Sequence, residues 1–153
     1  MLNLLIVDDS ALMRRVLREV FAAQGDFEIA SCRDGKEAVE NLNRFQPDVI
    51  LLDVVMPRMD GLEALSRIMV ERPTPVVMLS SLTEAGALPT LEALALGAVD
   101  FIAKPSGTIS LNIERIEQEL IEKVRTAAKV KLKKRALLVD RMRADRHRIR
   151  DEI

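Results

Sequence analysis

The chain has 153 residues, of which 48% are apolar but only 3% aromatic, and its 31% of charged residues balance to a net charge of −1. Disorder is excluded, because it needs low hydrophobicity and a large charge imbalance. So are an internal disulfide and a His/Cys zinc cage, since there is one Cys32 and one His147.

Leu4-Leu5-Ile6-Val7 is the first aliphatic run and stops at Asp8-Asp9-Ser10. Met13, Val16, Leu17, Val20 and Phe21 then recur at helical spacing, with Ser10 as an N-cap and Gly25 past the end. Phe27 to Ala30 is a weaker second run. Asp34-Gly35 opens a helical pattern (Ala38, Val39, Leu42, Phe45) that Pro47 terminates. Val49-Ile50-Leu51-Leu52 is the third run and ends at Asp53. Leu62, Leu65, Ile68 and Met69 mark a helix stopped by Pro73 and Pro75. Val76 to Leu79 is the fourth run, before Ser80-Ser81. Leu88, Leu91 and Leu94 make a helical stripe closed by Gly97, and Val99 to Ala103 is the fifth run, before Lys104-Pro105. Ile113, Ile116, Leu120 and Val124 lie on one face of a last helix.

Continuous apolar strands separated by helices mean burial on both faces, the mark of a parallel sheet. The expected fold is α/β: a five-stranded doubly wound parallel sheet with helices on both faces. No stretch of about 18 apolar residues is available to span a membrane. The acidic start does not read as a signal peptide. A cytoplasmic protein without membrane insertion is expected.

Residues 1–122 hold eleven basic and twenty acidic residues, net −9, whereas residues 123–153 hold twelve and four, net +8. The basic end reads as a solvated helical or linker tail. It lacks the aromatics that stack single-stranded bases, so nucleic acid is not an expected partner. The division is therefore 1–125 for the folded domain and 126–153 for the tail.

The chemistry gathers where the runs end. In an open α/β sheet, ligands bind beyond the carboxyl ends of the strands. Those ends deliver Asp8, Asp9, Asp53, Ser80 and Lys104 to one rim. Three carboxylates together raise one another's pKa unless a cation intervenes, and a hard dication with oxygen ligands, Mg2+, suits them. The ammonium and the hydroxyl would face a phosphoryl group.

In this order, acid pair, central Asp, Ser and Lys-Pro resemble the receiver domains of two-component response regulators. The segments DVVMPRMDGLEAL, PTPVVMLSSLTEAGA and TLEALALGAVDFIAKPSG are similar to receivers of the chemotaxis protein-glutamate methylesterase family. The match covers roughly residues 1–125. The resemblance implies a flavodoxin-like receiver with Asp53 as phospho-acceptor from a histidine kinase. Asp9, Asp53 and the backbone carbonyl of Val55 would hold Mg2+, with Asp8 acting through water. Lys104 would pair with a phosphoryl oxygen. Ser80 and Phe101 would form a switch, although core filling is the commoner role of Phe. A cis bond before Pro105 is also implied.

Members of that family continue into a Ser-His-Asp catalytic domain, whereas this sequence has no Gly-x-Ser-x-Gly elbow and its one histidine sits in the basic tail. No esterase activity is expected of this chain. A methylesterase output domain in cis is the expected partner if the chain is a fragment. The alternatives are a free-standing receiver that signals by binding a partner, and an Mg2+-dependent phosphohydrolase. The last is disfavoured because Asp8 and Asp9 are adjacent rather than two apart. Val55 stands where relatives often carry a polar side chain, which would slow hydrolysis of the acyl phosphate.

Overall fold

Side-chain alternation decides the architecture. In β1 (Leu2–Val7), Leu4 and Ile6 turn to one face of the sheet and Leu5 and Val7 to the other, and all four are fully buried. β3 (Val49–Asp53) repeats this with Val49 and Leu51 against Ile50 and Leu52, and β4 (Val76–Ser80) with Val77 and Leu79 against Val76 and Met78. Successive strand residues point to opposite faces, so each apolar run feeds two cores at once.

The structure, a computed structural model, describes residues 1–54, 56, 59–80, 92–104 and 109–130, with residue 80 and residues 109–112 described through their backbone. Five parallel strands lie in the order β2-β1-β3-β4-β5, where β2 is Phe27–Cys32 and β5 is Asp100–Ala103. α1 (Ala11–Ala22) and α5 (Ile109–Ala128) cover one face, and α2 (Gly35–Phe45) and α3 (Gly61–Glu71) the other. The helical residues 92–95 (α4) join the second face through Ala93. This is the expected doubly wound fold.

Burial on both faces holds for β1, β3 and β4 but not for the outer strands. Glu28 of β2 is exposed, and Phe101 of β5 is 40% exposed. An outer strand has a neighbour on one side only, and the helices seal the middle of the sheet first.

α1, α2 and α3 each begin where a short polar side chain can satisfy the free N–H groups. Ser10, Asp34 and Asp60 sit in extended conformation and accept hydrogen bonds from the backbone N–H of Met13 (3.2 Å), Glu37 (2.9 Å) and Glu63 (2.9 Å). α2 leaves through Gln46 in the left-handed conformation (φ 53°), ahead of Pro47. On α5, Ile113, Leu120 and Val124 are buried as the spacing predicts, with Ile116 half-buried, and Ile121 and Ala127 join them. Arg125 pairs with Asp26 at 3.1 Å and lies over the Phe27 ring, tying the end of α5 to the start of β2. The stripe residues Leu88 and Leu91, Pro105 and the basic segment from residue 131 lie outside the described residues.

The register leaves the carboxyl ends flush. Val7 pairs with Cys32 and Leu52, Asp53 with Leu79, and Ser80 with Ala103. α3 starts close behind this rim, and Gly61 makes that possible. Its N–H bonds the Val54 carbonyl at 2.9 Å, and a Cβ there would overlap the Asp53 carbonyl oxygen and the Val54 backbone. Backbone atoms cannot swing aside as a flexible side chain can. Gly61→Ala should therefore destabilise the fold by about 1–3 kcal/mol, the range for overpacking, read as a lower urea midpoint at unchanged m-value. A midpoint equal to the parent's would show that α3 can withdraw at no cost.

Candidate functional site

β1 ends one residue before Asp8, β3 ends on Asp53, and Lys104 follows β5. Flush strand ends therefore bring two buried carboxylates and one ammonium together. Lys104 Nζ lies 3.1 Å from Asp8 Oδ2 and 3.1 Å from Asp53 Oδ2. Asp8 is fully buried and Asp53 nearly so, whereas Asp9 is exposed. Carboxylate oxygens of Asp8, Asp9 and Asp53 lie within 4.8 Å of one another. The four charged residues predicted for the rim thus converge. Ser80 ends β4 beside Ala103, so its backbone is at the same edge. Val55, expected to offer its carbonyl, lies outside the described residues.

Phe101 is not core filling. Its exposed ring has the Lys123 ammonium 5.4 Å from the ring centroid, and the same ammonium donates to the Phe101 carbonyl at 2.9 Å. Lys123 also pairs with Glu119 at 3.1 Å and Asp100 at 3.5 Å. A cation over an aromatic face is attracted by the ring quadrupole, so four groups on β5 and α5 are gathered around one side chain.

Asp8 is fixed from several directions. Its Oδ1 accepts from the Ser10 N–H at 2.9 Å, and its own N–H continues the sheet ladder to the Cys32 carbonyl at 3.1 Å. Its carbonyl accepts from Arg14 Nη1 at 2.6 Å. Oδ2 has the Lys104 ion pair but no aligned hydrogen bond among the described residues. Burial pushes the Asp8 carboxyl above its ordinary value, against the pull of Lys104 and the Ser10 N–H. Burial works to lower the Lys104 pKa, but the charges of Asp8 and Asp53 prevail and hold it raised.

Sequence reasoning missed Arg14 and Gly61. Gly61 shows its role only once α3 is folded against the end of β3. Arg14 carried a faint signal, a cation in the first turn of a helix, where the macrodipole favours anions.

The sequence model of the response regulator receiver domain matches residues 4–117. The chain belongs to the response regulator receiver family. A protein-glutamate methylesterase/protein-glutamine glutaminase of Rhodospirillum rubrum is 59% identical over 143 residues, 94% of this chain and 39% of that protein. One from Rhodopseudomonas palustris is 53% identical over 151 residues, covering 99% of this chain and 40% of the relative. The chain thus spans about two fifths of the length of these relatives. Among solved structures, the response regulator domain of Thermotoga maritima CheB is 47% identical with a TM-score of 0.78, covering 86% of this chain and 98% of that one. The receiver domain of NtrX from Brucella abortus is 27% identical with a TM-score of 0.71, covering 84% and 99%. The receiver is thus homologous to those of chemotaxis methylesterases. Among the described residues no helix is long and apolar enough to cross a membrane.

The raised Asp8 carboxyl has a consequence for stability. A folded-state pKa above the unfolded one means that ionisation opposes folding. The cost is absent below the unfolded value of 3.8 and grows as pH rises through the folded pKa. Asp8→Asn should therefore melt higher than the parent at pH 7 without divalent metal, and the difference should shrink as the buffer is taken towards pH 3.8. Thermal scans across that range test it, and a variant that melts lower at neutral pH would contradict it.

Proposed function

We propose that this chain is the phosphorylation-controlled receiver of a chemotaxis protein-glutamate methylesterase. In this reading residues 1–125 are the receiver and 126–153 a basic linker. Asp53 accepts a phosphoryl group from a chemotaxis histidine kinase, and the modified receiver controls a methylesterase output domain in the cytoplasm. The observation that carries the reading is Asp53 itself. It is a buried carboxylate held by one ammonium shared with Asp8, beside an exposed third acid.

The donor set fits Mg2+. Asp8, Asp9 and Asp53 offer only oxygen, and among the described residues the buried Asp8 Oδ2 has the Lys104 ion pair but no aligned hydrogen bond. Among the described residues the three acids gather beside the Lys104 ammonium at one rim. Hard cations take such oxygen ligands, and Mg2+ commonly uses one or two carboxylates with water. Asp9, Asp53 and the Val55 carbonyl would hold the ion and Asp8 would act through water. When bound, Mg2+ supplies charge neutralisation for the transferring phosphoryl oxygens.

The residues of the chain do the rest. An Asp53 oxygen attacks phosphorus in line, its O–P bond forming as the N–P bond to the donor histidine breaks. The imidazole nitrogen leaves with the electron pair and is protonated from solvent. Lys104, freed from sharing Asp53, follows the negative charge onto a phosphoryl oxygen. Its raised pKa keeps it charged throughout the neutral range. The Ser80 hydroxyl would close on the phosphoryl group, and Phe101 would report that movement on the β5–α5 face as the switch aromatic.

Acetyl phosphate with Mg2+ should add one phosphoryl group to the protein, seen as a single mass increment. Asp53→Asn should lose the increment entirely while keeping the fold by circular dichroism. Stoichiometric labelling of that variant would move the acceptor elsewhere.

A further inference from the structure

Asp8 and Asp9 are neighbours in sequence but are held in different ways. The Asp8 carboxylate is locked by burial, by the Ser10 N–H and by Lys104. The Asp9 carboxylate is exposed, and among the described residues no hydrogen bond or ion pair holds it. Yet its oxygen lies within 4.8 Å of the other two acids. Its position must come from the backbone, above all from the plane of the peptide that joins Asp8 to Asp9.

That peptide is clamped at its carbonyl. Asp8 O, the first carbonyl beyond β1, accepts from Arg14 Nη1 at 2.6 Å. On the other side of Asp9, the Ser10 N–H is tied to Asp8 Oδ1 at 2.9 Å, and the Ser10 hydroxyl caps α1. Arg14 is half-buried and stands in the first helical turns, where its charge opposes the macrodipole. α1 carries no acidic residue in its first turn to compensate. The bond to the Asp8 carbonyl is what Arg14 gains by standing against this local rule.

We infer that Arg14 is a positioning residue for divalent-metal binding: by holding the Asp8–Asp9 peptide in one orientation, it aims the Asp9 carboxylate into the site. The inference rests on the reading of this cluster as an Mg2+ site. It differs in sign from the simplest electrostatic expectation. A cation beside a cation site repels the incoming ion, so its removal should by charge alone tighten binding. Loss of a positioning partner outside the ligand set weakens it, commonly by 10-fold or more.

The test is Mg2+ binding by isothermal titration calorimetry, with thermal melts as a check on folding. Arg14→Met should raise the Mg2+ Kd by about 10-fold. Arg15→Met removes the same charge from an exposed neighbour that among the described residues pairs only with Glu19, and should leave Kd unchanged or slightly lower. Arg14→Lys, which keeps the charge and one donor, should fall between parent and Arg14→Met, and it serves if the methionine variant does not fold. In an Asp9→Ala background, Arg14→Met should add no further loss, because the ligand it aims has gone. Equal or tighter binding by Arg14→Met, or a full additive loss in the Asp9→Ala background, overturns the inference. If the parent protein binds no Mg2+, the metal reading of the cluster falls first and this inference with it.

Discussion

Two carboxylates that have lost their water must share one ammonium, and most of the architecture serves that requirement. Removing an ion from water costs several kcal/mol even after relaxation, and attraction repays it only when the geometry is good. Lys104 meets Asp8 and Asp53 at 3.1 Å each only because β1, β3 and β5 end at the same level. A slip of one residue in any of these strands would turn its side chains to the opposite face. The aliphatic runs guard against such a slip, since it would send residues packed in one core into the other. Register in the core is therefore what makes the charge arrangement at the rim possible.

The helices complete the rim from behind. Ser10 starts α1 and at the same time donates its N–H to Asp8, so capping and site geometry share one residue. Gly61 lets α3 begin against the backbone of Asp53 and Val54. Lys123 then links α5 to the exposed ring of Phe101 and to the Phe101 carbonyl, on the strand that precedes Lys104. The site is thus enclosed by elements whose own stability depends on residues at or near it.

What could be read from sequence followed the physics of local pattern. Continuous aliphatic runs located the strands and period-3.6 apolar spacing the helices, because burial is what those patterns encode. The strand-end rule then gathered Asp8, Asp9, Asp53 and Lys104 without any coordinates. The rest depended on distance in the fold. Phe101 sits in an apolar run, yet it is exposed because β5 lies at the sheet edge, and strand order is not a local property. The reach of Arg14 back to the Asp8 carbonyl depends on how α1 leaves β1. The pairing of Asp26 with Arg125 joins segments 99 residues apart, which no spacing rule connects.

The strand order also bears on how the chain comes off the ribosome. Of the five strands β1 is made first but lies inside the sheet, with β2 on one side and β3 on the other. Its four innermost residues, Leu4 to Val7, stay without their second neighbour until residues 49–52 have emerged. For that interval the nascent chain presents an aliphatic strand with an open edge, the kind of template that invites pairing with other chains. The early capped helix α1 can cover one face of it, with Leu17 and Phe21 against Leu4 and Ile6. A sheet with Asp8 and Asp53 at the ends of neighbouring inner strands thereby has its first helix available early to cover one face of β1, while the edge waits for β3.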